Sequence, residues 1–384
     1  QLVTDEAGVH AQAASGAEQL KVGSLFSGIG GLERGLELAG MEVAFQAEYD
    51  KQARSVLRHR WPNVDIYEDV KDVGFDKRRP SAAAGSRDRR GDAHSGSGGG
   101  EGSQRAIHSA GSVKGEAGRG RATLAPVDLI CGGFPCQDYS VAGKRGGLVG
   151  DRGALWWEMH RAVAECRPTW VIGENVPGLL SSNGGADFLA IIKSLVQLGY
   201  GVTWATLDSQ YFGVAQRRRR LFIVGHSGGV PRPEILALSE GLRGHPAPSR
   251  EAGERADACL GVRSASGHDE RGDLSSNIRV MASASMNAEI AEGFSPTLTT
   301  LHDGPPIAFT SGAHGAQWVG SSVPRRLTPI ECERLQGFPD DWTRYYHDGK
   351  RVADGPRYRM LGNAVTVNVA EWIGRHIMEV TPHD

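Results

Sequence analysis

Apolar residues in the first 226 positions fall into short groups that alternate between two spacings. Lys21–Phe26 is a brief apolar run that ends in Ser27-Gly28-Ile29-Gly30-Gly31. Leu32, Leu36 and Ala39 then recur at helical spacing before Gly40, a residue suited to close a helix. Glu42–Gln46 reads as a second strand, Gln52–Trp61 as a helix, and a third strand is expected to end near Asp69. Val127–Cys131 is a buried strand by pattern, followed by a helix at Leu155–Cys166, a strand at Trp170–Ile172 and a helix at Phe188–Leu198. Val202–Leu207 and Leu221–Val224 complete the series. Strand and helix in regular alternation predict an α/β chain with a doubly wound, Rossmann-like sheet.

Two regions break the alternation. Between Phe75 and Ala125 the chain is rich in Gly, Ser, Ala and Arg and almost free of large apolar residues. Such a segment buries too little surface to offset the entropy of ordering, so 76–125 reads as a poorly ordered insertion. A solvated loop is the plainer reading, and an arm touching nucleic-acid phosphates the sharper one. From Ser227 to Val323, Gly, Ser and Pro recur, with short apolar pieces at Gly261–Val262, Ile278–Met281 and Ile307–Phe309. This predicts a smaller, loop-rich, mostly β module inserted into the α/β chain. Helical spacing returns at Pro329–Leu335 and Val367–Met378. The expected organisation is a flexible segment at 1–20, an α/β domain at 21–226, the inserted module at 227–323, a hinge and helix segment at 324–361, and a C-terminal helix at 362–384 that returns to the α/β domain.

Composition narrows the class. Hydrophobic residues make up 39 % of 384 positions, which suits a globular core. No apolar stretch approaches the length of a membrane span, and the first twenty residues lack the basic-then-apolar form of a signal peptide. The chain does not begin with Met, which leaves its true start open. Five cysteines, odd in number and without metal-type pairing, point to a reducing compartment and no disulfide framework. The net charge of −2 does not by itself imply a nucleic-acid partner. Local basic clusters at Arg217–Arg220 and across Lys77–Arg121 would have to supply any phosphate contact.

Candidate chemistry sits at the ends of the expected strands. The glycines of Phe26–Gly31, between strand and helix, allow a tight turn and close backbone approach to a ligand at a helix N-terminus. Alone this turn is shared by many nucleotide-binding folds. Glu48 ends the second strand, where an acid commonly holds a ribose diol, and Asp69 ends the third, where a carboxylate could accept from an adenine amine. Cys136, in Gly132-Gly133-Phe134-Pro135-Cys136-Gln137, follows a buried strand and is flanked by turn residues and by polar Gln137 and Asp138. A lone cysteine is more often core filling; this setting suits a nucleophile. Glu174, in Gly173-Glu174-Asn175-Val176-Pro177, would point into the same cleft, where a dry setting raises its pKa. In Gln216-Arg217-Arg218-Arg219-Arg220, strand alternation sends Arg218 and Arg220 one way and Arg217 and Arg219 the other.

Taken together, these motifs resemble the cytosine-5 DNA methyltransferases. The resemblance runs from Val22 to Val380 and includes Arg325-x-Leu327-Thr328-Pro329-x-Glu331, Gln336-Gly337-Phe338-Pro339 and Gly362-Asn363-Ala364-Val365. Ser24 stands where that family often has Asp. The resemblance implies S-adenosylmethionine as cofactor, held by Phe26, Gly28, Ile29, Gly30, Gly31, Glu48, Asp69, Val70, Pro135, Leu155, Asn363 and Ala364, and no metal. It implies that Cys136 attacks C6 of a cytosine flipped out of the duplex, that Glu174 holds N3 and the exocyclic amine, that Arg220 binds O2, and that Arg218 supports the loop and the covalent intermediate. The module at 227–323 would read base edges in the major groove. Double-stranded DNA is the implied partner of a monomeric enzyme working near the nucleoid in the cytoplasm of a bacterial or phage-infected cell. A cognate restriction endonuclease would act separately. A tRNA methyltransferase of the same branch and a non-catalytic DNA-binding relative are the alternatives. The long module favours duplex DNA over the first, and intact Cys136, Glu174 and Arg220 oppose the second.

Overall fold

A computed structural model describes residues 19–75, 122–135, 153–236, 278–281, 290–292, 307–310 and 325–381. Most of the 76–125 insertion, Cys136 and much of the 227–323 module lie outside the described residues.

The first half folds as the hydrophobic spacing predicts. Strand β1 (Lys21–Leu25) leads through the glycine turn into α1 (Gly31–Leu38), followed by β2 (Glu42–Ala47), α2 (Lys51–Arg60) and the short β3 (Asp65–Tyr67). Asp50 caps α2 by accepting from the Gln52 and Ala53 amides, and basic residues crowd the last turn, where they suit the helix dipole. After Asp69 the chain makes a 3-10 turn, Val70–Asp72, and enters β4 (Val73–Phe75). Strand β5 (Ala122–Leu124) pairs in parallel with β4. It occupies the end of the segment read as an insertion, because three residues are too few to show a period. Strand β6 (Leu129–Gly133), α3 (Gly153–Cys166), β7 (Trp170–Asn175), α4 (Ala186–Gln197), β8 (Gly201–Asp208) and β9 (Arg219–His226) complete the domain.

Seven strands form one sheet in the order β3-β2-β1-β6-β7-β9-β8. The first five are parallel to their neighbours, and β9 runs antiparallel to both β7 and β8. The chain moves outward from β1 to β3, then crosses back to β6 on the other side of β1. That reversal opens a crevice at the carboxyl ends of β1 and β6, where α/β sheets bind ligands. Because β9 is reversed, its first residues reach this same edge.

Alternation along the buried strands feeds two cores. Leu25, Phe45, Ile130, Val171 and Ile223 face Trp156, Met159 and Val163 of α3 and Ile191 and Leu195 of α4. On the opposite face Val22, Leu129, Ile172 and Val224 meet Leu32 and Leu36 of α1 and Val369, Ala370 and Ile373 of the last helix. That helix, α7 (Val367–Val380), follows α5 (Pro329–Leu335) and α6 (Asp354–Asn363). Thr328 and Glu331 close the start of α5 with a reciprocal capping box. A third cluster joins α2 to α5 and α6 through Trp61, Leu335, Phe338, Trp342 and Met360. In the module, β10 (Ile278–Met281), β11 (Ile290–Glu292) and β12 (Ile307–Thr310) are joined by β13 (Arg325–Arg326), which lies just past the module's expected end, in an antiparallel sheet of order β11-β10-β12-β13. No helix among the described residues is long and apolar enough to cross a membrane.

Candidate active site

The carboxyl edge of the sheet opens into a cavity of about 600 Å³. Phe26, Gly28 and Ile29 line it from the turn after β1, Glu48 from the end of β2, and Asp69 and Val70 from the turn after β3. Pro135 and Leu155 line it on the β6 side, Glu174 from the end of β7, Arg218 and Arg220 from the start of β9, and Asn363 from the end of α6. Predicted residues at the carboxyl ends of five strands, at the start of β9 and on two helices thus share a single cavity.

The glycine turn is fixed from within the fold. Its Ser27 amide donates to the Ala47 carbonyl at 3.1 Å, and the Gly28 amide donates to Glu48 Oε2 at 2.7 Å. The other Glu48 oxygen accepts from the Asp50 amide at 2.7 Å. Burial pushes the Glu48 carboxyl up, and these two amides only partly offset it. Gly28 has a positive φ of 57°, and a side chain there would extend into empty cavity space. This is a cradle for a ligand. Gly30 and Gly31 do other work: neither lines the cavity, and a Cβ would strike the Trp61 ring at Gly30 and the Val365 carbonyl at Gly31. These two are glycines because α1 must approach α2 and the α6–α7 junction closely. Ala364 is likewise buried behind the cavity wall, where its carbonyl accepts from Arg218 at 2.8 Å.

Across the cavity, Glu174 and Arg220 form an ion pair, Nε to Oε1, at 3.1 Å. Burial raises the Glu174 pKa, opposed first by Arg220 and then by Arg218. Gly133 lies beside the carboxylate, and a Cβ there would stand 2.9 Å from Oε2. The alternation expected of the arginine run holds: Arg218 is buried, Arg219 exposed, and both Arg218 and Arg220 face the cavity. Arg218 ties β9 to the end of α6. Its Nη2 donates to the Gly362 carbonyl at 3.1 Å as well as to that of Ala364, while its amide donates to Asp208 Oδ1 at 3.0 Å. Cys136 lies outside the described residues, and its sequence neighbour Pro135 lines the cavity.

Several residues that line the cavity were not among the candidates read from the sequence. Asn175 donates through Nδ2 to the Phe134 carbonyl at 3.0 Å and accepts from the Val176 amide at 2.9 Å. It therefore anchors the backbone two residues before Cys136. Tyr49 leaves an exposed aromatic side chain at the cavity wall. Arg359 and Met360 of α6 complete that wall, and Arg359 pairs with Asp50 at 3.2 Å. Among the described residues no cluster of His, Cys, Asp or Glu could hold a metal ion.

The cavity fits an adenosine-type cofactor. Open space at the Gly28 backbone, a buried strand-end acid at Glu48 and a second acid at Asp69 around one cavity suit such a group in chemistry. Fold and site define the class of α/β methyltransferases with a Rossmann-like domain. The chain belongs to the C-5 cytosine-specific DNA methylases, whose family model matches residues 20–78, 105–253 and 262–379. It is a cytosine-specific DNA methyltransferase by that membership. It is 28 % identical over 393 residues to the type II methyltransferase M2.BsuMI of Bacillus subtilis, covering 94 % of this chain and 76 % of the relative. It is 27 % identical to M.FnuDI of Fusobacterium nucleatum, covering 94 % of each. Among solved structures it is similar in fold to a putative DNA modification methyltransferase encoded in an Escherichia coli prophage (TM-score 0.55, 20 % identity, 94 % of this chain and 99 % of that one). It is similar to the same degree to the Dnmt2 methyltransferase of S. pombe (TM-score 0.56, 16 % identity, 95 % and 100 %).

Proposed function

We propose that the enzyme methylates C5 of a cytosine flipped out of a specific duplex DNA site, through a covalent bond between Cys136 and C6. The observation that carries this reading is the Glu174–Arg220 pair, a buried acid and a partly buried cation set side by side in the wall of the cofactor cavity. Such a pair complements the polar edge of cytosine: the acid toward N3 and the exocyclic amine, the arginine toward O2. Burial raises the Glu174 pKa, opposed by Arg220 and Arg218, and the carboxyl would hydrogen-bond to N3 as Cys136 adds to C6. Addition forms the S–C6 bond and moves the ring electrons to C5. Loss of the C5 proton and departure of Cys136 later restore the C5–C6 double bond. Flipping is required because the ring faces cannot be reached in a stacked duplex.

S-adenosylmethionine, when bound, supplies an electrophilic methyl group. Glu48 would take the ribose hydroxyls, Asp69 the adenine amine, and Phe26 the adenine face. Gly28, Ile29, Val70, Pro135, Leu155 and Asn363 would enclose the remainder. Gly30, Gly31 and Ala364 support that site through packing. The 227–323 module would read the DNA sequence, and a restriction endonuclease of matching specificity would act separately. Transfer of labelled methyl groups to duplex DNA, with Cys136→Ala alongside, tests the reading. Activity on tRNA but not on DNA would overturn the substrate, and undiminished activity in the variant would remove Cys136 from the mechanism.

A further inference from the structure

Asp69 and Val70 face the cavity from the turn between β3 and β4, whose Val70, Val73 and Phe75 pack into the core. Strand β4, which follows them, pairs with β5 in a separate two-stranded sheet. At Phe75 the chain leaves for residues 76–121 before it returns at Ala122. Asp69 itself caps the turn by accepting from the Lys71 amide at 3.0 Å.

Arg161 of α3 crosses to this segment with its guanidinium. Its Nη2 donates to the Val70 carbonyl at 2.9 Å, and its Nη1 to the Val73 carbonyl at 2.9 Å. Two carboxylates on the same helix orient the guanidinium: Glu158 meets Nε at 2.8 Å and Glu165 meets Nη1 at 3.0 Å. The guanidinium, with five N–H donors in a fixed fork, serves four acceptors here, one more than the three donors of a lysine ammonium could. Helix α3 also contributes Leu155 to the cavity and is entered, in sequence, from the stretch that holds Cys136.

We infer that Arg161 is a positioning residue for the cofactor, holding the Asp69–Val70 edge of the cavity at the distance that adenine requires. The inference rests on the cofactor reading above. Arg161 acts through backbone carbonyls and does not itself line the cavity.

The test is calorimetric binding of S-adenosylhomocysteine, and of its analogue with hypoxanthine in place of adenine, to the full chain and to Arg161→Lys, together with steady-state kinetics. Arg161→Lys is expected to weaken S-adenosylhomocysteine about tenfold, from the loss of charge-assisted bonds to two carbonyls. The preference for adenine over hypoxanthine falls with it. The KM for S-adenosylmethionine rises in step, while kcat at saturation and the KM for DNA change by less than threefold. Glu158→Gln, which removes one orienting carboxylate and leaves the guanidinium in place, shows the same split at smaller amplitude. Unchanged binding in both variants overturns the inference, as does an equal loss of cofactor affinity, DNA affinity and kcat, which would mark a merely structural residue. Failure of the unaltered protein to bind S-adenosylhomocysteine would overturn the cofactor reading itself, and this inference with it.

Discussion

Glu48 and Glu174 reach the cavity from the ends of parallel strands, whereas Arg359, Met360 and Asn363 reach it from α6, a helix outside the sheet. The strand-end wall is set by ladder hydrogen bonds that any well-packed α/β sheet must make. The helical wall is set by individual buried polar side chains that end on backbone or on one another. Arg218 holds the Gly362 and Ala364 carbonyls. Gln336 donates to the Leu361 carbonyl at 2.9 Å. Glu333, fully buried, accepts from Arg357 of α6 at 2.8 Å and from the Thr343 amide at 2.8 Å. Chemistry on the strand-end wall should therefore be removable without disturbing the fold, while the helical wall should fail as a unit when one link is cut.

The largest effect is expected on the strand-end wall. Glu174→Gln should lower kcat by roughly 10²-fold or more, the range for loss of a positioned acid, with cofactor affinity and melting temperature nearly unchanged. Next comes Arg357→Met, which leaves Glu333 buried without its cation. Breaking a buried pair from one side costs about 3–5 kcal/mol, so denaturant unfolding should shift strongly and cofactor binding should fall with it. A comparable loss with no change in cofactor affinity would dissolve the distinction between the walls.

Glu33 of α1, beneath the glycine turn, gives a pH-dependent case. It is fully buried, and neither oxygen makes a hydrogen bond of normal geometry. Burial raises its pKa from 4.5 to about 7, only partly offset by the Ser24 and Ser27 hydroxyls. The folded state then holds a proton that the unfolded chain releases. Its stabilising contribution is complete below pH 4.5 and is lost as pH rises to about 7, a change on the order of 3 kcal/mol. Glu33→Gln should flatten that part of the stability–pH curve and raise stability at pH 8, read by urea unfolding across the range. The smallest effect is expected for Arg218→Lys, which shortens the link to α6 and keeps its charge. Cofactor affinity should fall about tenfold, in line with loss of a charge-assisted hydrogen bond, measured by calorimetry.

The same division decides what could be read from the sequence. Phe26, Glu48 and Glu174 were legible because each follows an apolar run and ends it with a turn or a charge. Their convergence follows from sheet topology alone. Helix α6 was not legible: Gly355 and Pro356 resemble a turn, and its buried positions, Arg357, Met360, Leu361 and Gly362, include a cation and a glycine that hide the apolar stripe. Gly30 and Gly31 were read as part of a ligand cradle, yet they serve close packing against Trp61 and Val365. Sequence cannot distinguish a glycine that admits a ligand from one that admits another stretch of chain. Asn175 and Arg161 went unread because their partners are backbone carbonyls on distant segments, which leave no mark on residue type.

The account turns on a bond between Cys136 and the target base, and trapping that bond tests it most directly. A duplex carrying 5-fluorocytosine at the methylated position cannot release a C5 proton, so a Cys136 adduct should persist once the methyl group has been transferred. Peptide mass spectrometry should then find one base-linked peptide, the one containing Cys136, and none in Cys136→Ala. An adduct that survives in the variant, or active enzyme that methylates DNA without ever forming one, would contradict the account.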